Sequence, residues 1–303
     1  IFIKLMKCEI GMKVIISIPA WNEEKTLPRV LEEIKDVMKL TNYNYDILIV
    51  DDGSEDGTIE VAKKHGALVF AKNHTGLAGQ FKAEMKECLR LKADIIVHTD
   101  ADGQYHPKHI PELIKKVEDG YDLVLGSRFR RNIKHMAFLK KLGNKAFSVV
   151  LSSLTKVRLT DTTTGYRGFN ARVAREINYI NRFTYTQEQI IKAAKQGFKI
   201  TEIPIMSRRT RASRLFGSPW EYAIKAWTNI FRIYRDYNPL NFFGKIGLAF
   251  FSGGFLIGLW LVYLFITTGK IGHVPSAILS MLLIVVGIQI VLFGFLADMM
   301  AND

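Results

Sequence analysis

Two long apolar segments in the last fifth of the chain restrict its possible folds more than any other feature. Residues 246–266 and 274–297 are 21 and 24 residues long, and neither segment contains a charged side chain. A helix of about 20 apolar residues is long enough to cross the hydrocarbon core of a bilayer. We therefore predict a transmembrane helical hairpin over residues 241–298. Buried helices of a soluble domain are the alternative.

The preceding part of the chain has a different pattern, in which short β-rich runs alternate with amphipathic stretches. This alternation predicts a mostly parallel sheet that is covered by helices on both faces, over residues 12–206. Ligands of such sheets bind at the carboxyl ends of the strands. The predicted strands are 14–18, 46–50, 68–70, 94–98 and 122–125, and the predicted helices are 27–40, 58–65, 79–91 and 110–119.

A third segment, residues 207–240, joins these two regions. Residues 219–238 combine aromatic and apolar side chains with lysine and arginine, which is typical of a helix that lies in the membrane interface. A helix of the soluble domain is the alternative. Because basic residues crowd the chain just before the hairpin, we predict a multi-pass protein of the cell membrane whose large domain faces the cytoplasm.

Composition narrows the class of partner without selecting one. The 303 residues have a net charge of +13, and 48% of them are hydrophobic, so the chain is neither disordered nor of low complexity. A basic excess of this size favours anionic partners, namely nucleic acids, acidic lipid surfaces or phosphorylated substrates.

The strongest local motif is Asp100-Ala101-Asp102-Gly103-Gln104, directly after a predicted strand. Two carboxylates at a strand end can both reach one hard cation, and Mg²⁺ prefers one or two carboxylates together with substrate phosphates. A nucleoside diphosphate leaving group would provide those phosphates. Taken alone, the motif is weak, because acidic residues are common in loops.

Two further motifs follow predicted strands in the same way. Asp51 and Asp52 come after the second strand, where a carboxylate can accept hydrogen bonds from a ribose or a base; a turn and a helix cap are the alternative. Trp21 comes after the first strand, where an aromatic ring can stack on a base.

The order of these motifs resembles the nucleotide-binding half of family 2 glycosyltransferases, which have the GT-A fold. Within that family, the chain most resembles the polyprenyl-phosphate hexosyltransferases of the dolichyl-phosphate mannose synthase type. The resemblance extends from Val14 to Leu215 and includes the motifs 126–128, 161–167, 187–188 and 202–205.

The resemblance implies roles for individual residues. Asp100, Asp102 and Gln104 would bind Mg²⁺ or Mn²⁺, and Asp102 and Arg128 would be catalytic. Arg128, Lys141, Arg209 and Arg214 would bind the phosphate of the acceptor, with Arg208 as an alternative to Arg209. The nucleotide-sugar donor would be bound by Pro19, Ala20, Trp21, Glu23, Val50, Asp52, Asp100 and Ala101.

The implied reaction is transfer of a hexose from GDP-mannose or UDP-glucose to polyprenyl (dolichyl) phosphate at a lipid membrane, with inversion at the anomeric carbon. A phosphate acceptor is already anionic near neutral pH, so it needs cations and no general base. This fits an acceptor region that is rich in arginine.

Two rival hypotheses remain. A polysaccharide synthase of the same family would use a hydroxyl acceptor, and it should contain a later catalytic carboxylate and a Gln-x-x-Arg-Trp segment, which we do not find. A basic membrane-attached binding protein, for example one for nucleic acid, would leave the acidic motifs without a purpose. We therefore expect an enzyme that binds no nucleic acid.

Overall fold

The structure is a computed structural model, and it describes residues 11–129, 138–179, 185–208, 228, 231–232, 234–270 and 273–302. The chain divides into two compact units, Ile1–Pro219 and Trp220–Asp303. We describe each unit by itself.

The first unit is built on a seven-stranded sheet with the strand order β3-β2-β1-β4-β6-β5-β7. Every neighbouring pair is parallel except the two pairs that involve β6, which is antiparallel to β4 and β5. The predicted α/β class with a mostly parallel sheet is confirmed. The strands are β1 Lys13–Ala20, β2 Asn44–Asp51, β3 Leu68–Ala71, β4 Ile95–His98, β5 Leu123–Ser127, β6 Arg167–Asn170 and β7 Ile200–Pro204.

Helices connect the strands and bury an apolar stripe against the sheet. In α1, the residues Leu27, Val30, Leu31, Ile34 and Met38 are buried, which is the 3–4 spacing of one helix face. The other helices of this unit are α2 Thr58–Lys64, α3 Gly76–Arg90, a 3₁₀ turn at Pro107–His109, α4 Ile110–Glu118, α5 Phe138–Thr155, α6 Ala171–Glu176 and α7 Thr186–Lys195.

The central strands are covered on both faces. Val14, Ile15, Ile16 and Ile18 of β1 are all fully buried, so successive side chains on opposite faces of the strand both lie in the core. This explains why β1 and β2 are continuous apolar runs without the alternation of a half-exposed strand.

The topology brings the sequence motifs together. Because β1, β2, β4 and β5 all run in the same direction, their carboxyl ends meet at one edge of the sheet. The segments that follow these strands begin near Trp21, Asp52, Asp100 and Arg128. The edge where these residues meet is the candidate site.

The second unit contains two long helices, α8 Pro239–Thr268 and α9 Val274–Asn302. Their mean hydropathies are 2.1 and 2.7, and the most apolar stretch of each helix is only 6% and 17% buried, respectively. The core helix of a soluble protein would be mostly buried. Both are long and apolar enough to cross a membrane. They have the length, composition and antiparallel packing of a transmembrane hairpin.

Glycines allow the two helices to pack closely. A Cβ atom at Gly254 would lie 2.7 Å from the carbonyl oxygen of Ser280, and one at Gly287 would lie 2.6 Å from the backbone nitrogen of Phe251. The hydroxyl of Ser280 donates to the carbonyl of Gly254 at 2.7 Å. Small residues of this kind are how apolar helices approach each other in lipid, where hydrophobic burial provides no driving force.

Candidate active site

The turn after β4 contains the two predicted metal carboxylates. Asp100 and Asp102 are partly buried, and Asp102 accepts the backbone N–H of Gln104 at 2.9 Å. The pKa of Asp100 is raised to about 6, by burial above all; the neighbouring carboxylates Asp102 and Glu84 also raise it, whereas His98 and Arg128 lower it. The ionised form of Asp100 is therefore destabilised until a cation balances the charge.

Gly165 keeps space beside Asp100. A Cβ atom at this position would lie 3.0 Å from Oδ1 of Asp100 and 3.4 Å from the hydroxyl of Tyr185. The backbone N–H of Gly165 donates to the hydroxyl of Tyr105 at 3.2 Å, which fixes the loop against the turn. Glycine therefore allows the close approach of loop and carboxylate, and a Cβ atom here would displace the carboxylate by a few tenths of an ångström.

A buried polar network lies behind Asp100. Glu84 accepts hydrogen bonds through Oε2 from the hydroxyl of Ser17 and from Nδ1 of His98, each at 2.8 Å. Nε2 of His98 is 2.7 Å from the hydroxyl of Tyr185, whose ring stacks on Phe81. His98 is only 1% exposed, which confirms its predicted place inside a strand.

The second predicted carboxylate, Asp52, is 1% exposed and is bound to the segment that begins α3. Its Oδ1 accepts from Nζ of Lys72 and from the backbone N–H of Thr75, and its Oδ2 accepts from the backbone N–H of Gly76 at 3.0 Å. Asp52 therefore fixes the segment that begins α3 against the end of β2.

Trp21 and His74 form an exposed aromatic pair beside Asp52. Their ring centroids are 5.0 Å apart, and 42% of Trp21 is exposed. Nδ1 of His74 is 2.9 Å from Oδ2 of Asp52. The ring of Trp21 is therefore exposed after the end of β1, with His74 as a neighbour that the sequence did not indicate.

The remaining predicted donor residues lie around the ends of β1 and β2. The side chain of Gln80 joins the two strands by donating to the carbonyls of Ala20 at 3.2 Å and Val50 at 2.8 Å. Glu23 is buried and accepts the hydroxyl of Thr26 at 2.6 Å. Pro19 pairs with Val50 in the sheet, and Ala101, which stands between Asp100 and Asp102 in the sequence, is buried.

Arg128 follows β5 and forms a buried ion pair with Asp161. Nε of Arg128 donates to Oδ2 at 2.7 Å and Nη2 donates to Oδ1 at 3.0 Å, which is a bidentate contact. Nη2 also donates to the hydroxyl of Thr163 at 2.9 Å. Burial raises the pKa of Asp161, but the Arg128 guanidinium outweighs it and holds that pKa below its ordinary value.

The other predicted acceptor cations are placed only in part. Arg208, the alternative to Arg209, donates from Nη1 to both carboxylate oxygens of Glu33 in α1, at 2.9 and 2.7 Å. The backbone of Lys141 lies in α5, but its side chain is outside the part of the chain that the structure describes. Arg209 and Arg214 lie outside the described residues.

Comparison with known proteins agrees with this geometry. Residues 15–178, more than half of the chain, match the family described as "Glycosyl transferase family 2". The chain belongs to this family. It is therefore a glycosyltransferase, and the resemblance seen in its motifs is confirmed.

Similar proteins include several that act on lipid phosphates. The glycosyltransferase is 33% identical to the UDP-N-acetylglucosamine–dolichyl-phosphate N-acetylglucosaminyltransferase of Methanococcus voltae, over 66% of this chain and 88% of that protein. It is 31% identical to the dolichyl-phosphate hexose transferase of Haloferax volcanii (62% and 79% covered). It is 29% identical to the dolichol-phosphate mannosyltransferase of Pyrococcus furiosus (89% and 78% covered).

Solved structures support the fold of the glycosyltransferase. The glucosyl-3-phosphoglycerate synthase of Mycobacterium tuberculosis, in complex with Mn²⁺, UDP-glucose and phosphoglyceric acid, superimposes with a TM-score of 0.57 over 73% of this chain and 80% of that one. The two sequences are 18% identical, so this likeness establishes the GT-A fold alone. It also shows that a divalent metal occurs with this fold.

The glycosyltransferase provides suitable donors for such a metal. Carboxylates of Asp100 and Asp102 and the amide of Gln104 are hard oxygen ligands of the kind that Mg²⁺ and Mn²⁺ accept. The raised pKa of Asp100 fits a carboxyl that receives a cation. Among the residues that the structure describes, no three His, Cys, Asp or Glu side chains converge in a ready-made metal cluster.

Several site residues were assigned no role from the sequence. Lys72, His74 and Gln80 belong to no motif and reach the site only through the fold. Asp161 lies in the motif 161–167, and its acidic side chain within that motif was a possible signal. Glu202, which also supports Asp161, lies in the motif 202–205, whereas Asn144 is a buried polar residue that belongs to none of the motifs.

Proposed function

We propose that this glycosyltransferase transfers a hexose from a nucleotide-sugar, GDP-mannose or UDP-glucose, to the phosphate of a polyprenol such as dolichol. The observation on which this rests is that one chain combines a GT-A strand-end site with a hairpin long enough to cross a bilayer. A polyprenyl phosphate has its phosphate in water and its long tail in the membrane, so its enzyme needs both parts.

The named relatives support the acceptor more strongly than the donor. The three described above differ in the sugar that their names give, but all three names contain dolichyl or dolichol phosphate. The shared feature is therefore the lipid phosphate. We assign the acceptor to this class and leave both hexose donors in the proposal.

At the donor side, Asp100, Asp102 and Gln104 would hold Mg²⁺ or Mn²⁺. When bound, this cation would neutralise the negative charge that develops on the departing nucleoside diphosphate. Pro19, Ala20, Trp21, Glu23, Val50, Asp52 and Ala101 would surround the nucleotide. In particular, the exposed ring of Trp21 would stack on the base.

At the acceptor side, Arg128 would bind the phosphate, with Lys141, Arg209 and Arg214 as further cations. The phosphate oxygen then attacks the anomeric carbon from the face opposite the leaving group, which inverts its configuration. A phosphate monoester has a second pKa of about 6 and is largely ionised near neutral pH. No protein side chain has to remove a proton from it.

This reaction suggests a separate role for each of the three regions of the chain. We assign residues 12–206 to catalysis, 207–240 to the acceptor loop and an interfacial helix, and 241–298 to membrane insertion. We expect the catalytic unit on the cytoplasmic side, because basic residues directly precede the hairpin in the sequence.

The test is a panel of nucleotide-sugars offered with short-chain dolichyl phosphate in detergent, with extraction of the lipid-linked sugar as the readout. We expect product with GDP-mannose or UDP-glucose, and release of one nucleoside diphosphate per product. Release of nucleoside diphosphate only when a sugar or oligosaccharide replaces the lipid would contradict the proposed acceptor.

The Arg128→Ala variant tests whether Arg128 binds the acceptor or the donor. Its affinity for GDP or UDP should remain close to that of the wild type, while the KM for the lipid phosphate rises at least tenfold, because a charge-assisted hydrogen bond is lost. Weaker nucleotide binding with unchanged acceptor kinetics would mean that Arg128 serves the donor.

A further inference from the structure

The guanidinium of Arg128 is held by the protein itself before any acceptor binds. Its Nε and Nη2 form a bidentate contact with Asp161, and the backbone N–H of Arg128 donates to the same carboxylate at 3.1 Å. The Arg128 side chain is 10% exposed and that of Asp161 is 0% exposed. Both the charge and the orientation of Arg128 are therefore fixed.

Asp161 is itself held by two further residues. Nδ2 of Asn144 in α5 donates to its Oδ1 at 3.0 Å. Oε1 of Glu202 in β7 accepts the backbone N–H groups of Thr160 at 2.7 Å and of Asp161 at 3.0 Å. The side chain of Asp161 is thus tied to α5 and its backbone to β7.

Thr163 completes the arrangement on the Arg128 side. Its hydroxyl oxygen accepts from Nη2 of Arg128 at 2.9 Å. Together, Asp161 and Thr163 occupy the edge of the guanidinium that Nε and Nη2 form. Because the group is planar and rigid, fixing this edge also fixes the direction in which the Nη1 side points.

A cation that only contributed charge would not need this support. The buried pair of Arg128 and Asp161 is neutral as a whole, so it adds little net positive charge to the site. What the pair provides is direction, since a planar fork in a fixed plane matches the oxygens of a phosphate.

We propose that Asp161 and Thr163 are positioning residues that aim the Nη1 side of Arg128 at the phosphate of the acceptor. This inference rests on the proposed function, because it concerns the same acceptor site. It adds that the acceptor is recognised at Arg128 by orientation more than by net charge.

The test compares Thr163→Val, which removes only the hydroxyl, with Thr163→Ser, which restores it, in the full-length protein in detergent. Thr155→Val is the matched control, because the Thr155 hydroxyl donates within its own helix, to the carbonyl of Leu151. The readouts are calorimetric Kd values for farnesyl phosphate and for GDP or UDP, the acceptor KM, and the melting temperature.

We expect Thr163→Val to weaken farnesyl phosphate binding about tenfold, by analogy with the loss of a hydrogen bond to a charged group. Thr163→Ser and Thr155→Val should stay within about twofold of the wild type, as should nucleotide binding in all three variants. A purely structural role for Thr163 would lower the melting temperature and leave the Kd for farnesyl phosphate unchanged, which would overturn the inference.

Arg128→Lys provides a second, independent measurement. Lysine keeps the charge but lacks the planar fork, so we expect it to lose nearly as much affinity for farnesyl phosphate as Arg128→Ala. Affinity close to that of the wild type would show that charge alone suffices, and positioning would be refuted.

The design separates the two proposals. If the wild type makes no lipid-linked product and binds no farnesyl phosphate, the proposed function fails. If the wild type does both and Thr163→Val matches it, the proposed function stands and the inference about Asp161 and Thr163 fails.

Discussion

Two aspartates at the same edge of the sheet have opposite pKa shifts. The pKa of Asp100 is raised to about 6, by burial above all. The pKa of Asp161 is lowered although burial opposes this, because Arg128 and Asn144 stabilise its charge. One carboxylate has its cation within the protein, and the other faces a second carboxylate, Asp102.

This difference separates two kinds of acidic residue that look alike in a sequence. Asp161 is part of the structure and is already neutralised. At Asp100, burial and the carboxylates Asp102 and Glu84 outweigh the effect of His98 and Arg128 on the pKa, and a metal ion with its nucleotide would offset this cost. The comparison therefore predicts that changes at the Asp100 turn affect donor chemistry, whereas changes at Asp161 affect stability and the acceptor.

The largest expected effect is at Asp102. In Asp102→Asn the shape of the side chain is kept and the charge that holds the cation is lost, so activity should fall by about 10²–10³-fold while the fold survives. Glycosyl transfer with saturating metal, together with circular dichroism and melting temperature, measures this. Full activity of the variant in the presence of a chelator would refute the metal assignment.

Asp161→Asn should have its largest effect on stability. Removing one partner of a buried ion pair leaves the Arg128 charge uncompensated, at a cost of about 3–5 kcal/mol in the free energy of unfolding. The matched control is Asp36→Asn, because Asp36 pairs with Lys39 at the surface, where both side chains are at least 70% exposed. For Asp36→Asn we expect the free energy of unfolding to fall by less than about 1 kcal/mol. Denaturant unfolding measures both variants, and equal losses of unfolding free energy would contradict a structural role for the buried pair.

The pH dependence should differ between the two aspartates. A cation binds the ionised form of Asp100, so the apparent affinity for Mn²⁺ should fall as pH drops below about 6, by about tenfold per pH unit. Asp161 has a lowered pKa, so its pair with Arg128 should persist over the same interval. Titrations of Mn²⁺ and of farnesyl phosphate at about pH 5 and about pH 7 compare the two.

The raised pKa of Asp100 also affects how the stability of the metal-free protein depends on pH. A carboxyl whose pKa is higher in the folded state binds more protons when folded, so its contribution favours folding at low pH and is lost as pH rises through about 6. Asp161 acts in the opposite sense, because its contribution is present above the ordinary pKa and is lost as pH falls. Metal affinity that did not change between the two pH values would contradict the assignment of Asp100.

The smallest expected effect is that of Gly165→Ala. The added Cβ would lie 3.0 Å from Oδ1 of Asp100, so the carboxylate must shift by a few tenths of an ångström. We expect a loss of about three- to tenfold in Mn²⁺ affinity, with little change in farnesyl phosphate binding. Gly244→Ala, at a position with open space, is the control and should change neither affinity.

The sequence determined a large part of this protein by itself. Five strands and four helices of the first unit were predicted with shifts of a few residues at their ends, because apolar periodicity reports directly which face is buried. The two helices of the hairpin were predicted equally well, because two uncharged apolar segments of this length are typical of membrane spans. The order of the strand-end motifs was enough to indicate the family.

Other features were decided only by the tertiary structure. Strand β6 has four residues and begins with Arg167, so its sequence resembles a loop, yet it lies antiparallel in the middle of the sheet. The place of Arg167 in the core depends on the carbonyls of Thr164 and Thr186, which the sequence does not indicate.

The roles of Asp100 and Asp161 are the clearest case. Both are aspartates in short polar motifs next to a strand, Asp100 after β4 and Asp161 before β6, and local sequence gives them the same propensities. Neighbours that are distant in the chain decide much of the difference: Arg128 and Asn144 stabilise the charge of Asp161, whereas burial in the fold and Glu84 destabilise that of Asp100. Electrostatic energy depends on distance in space, so only the fold could decide which carboxylate is already paired.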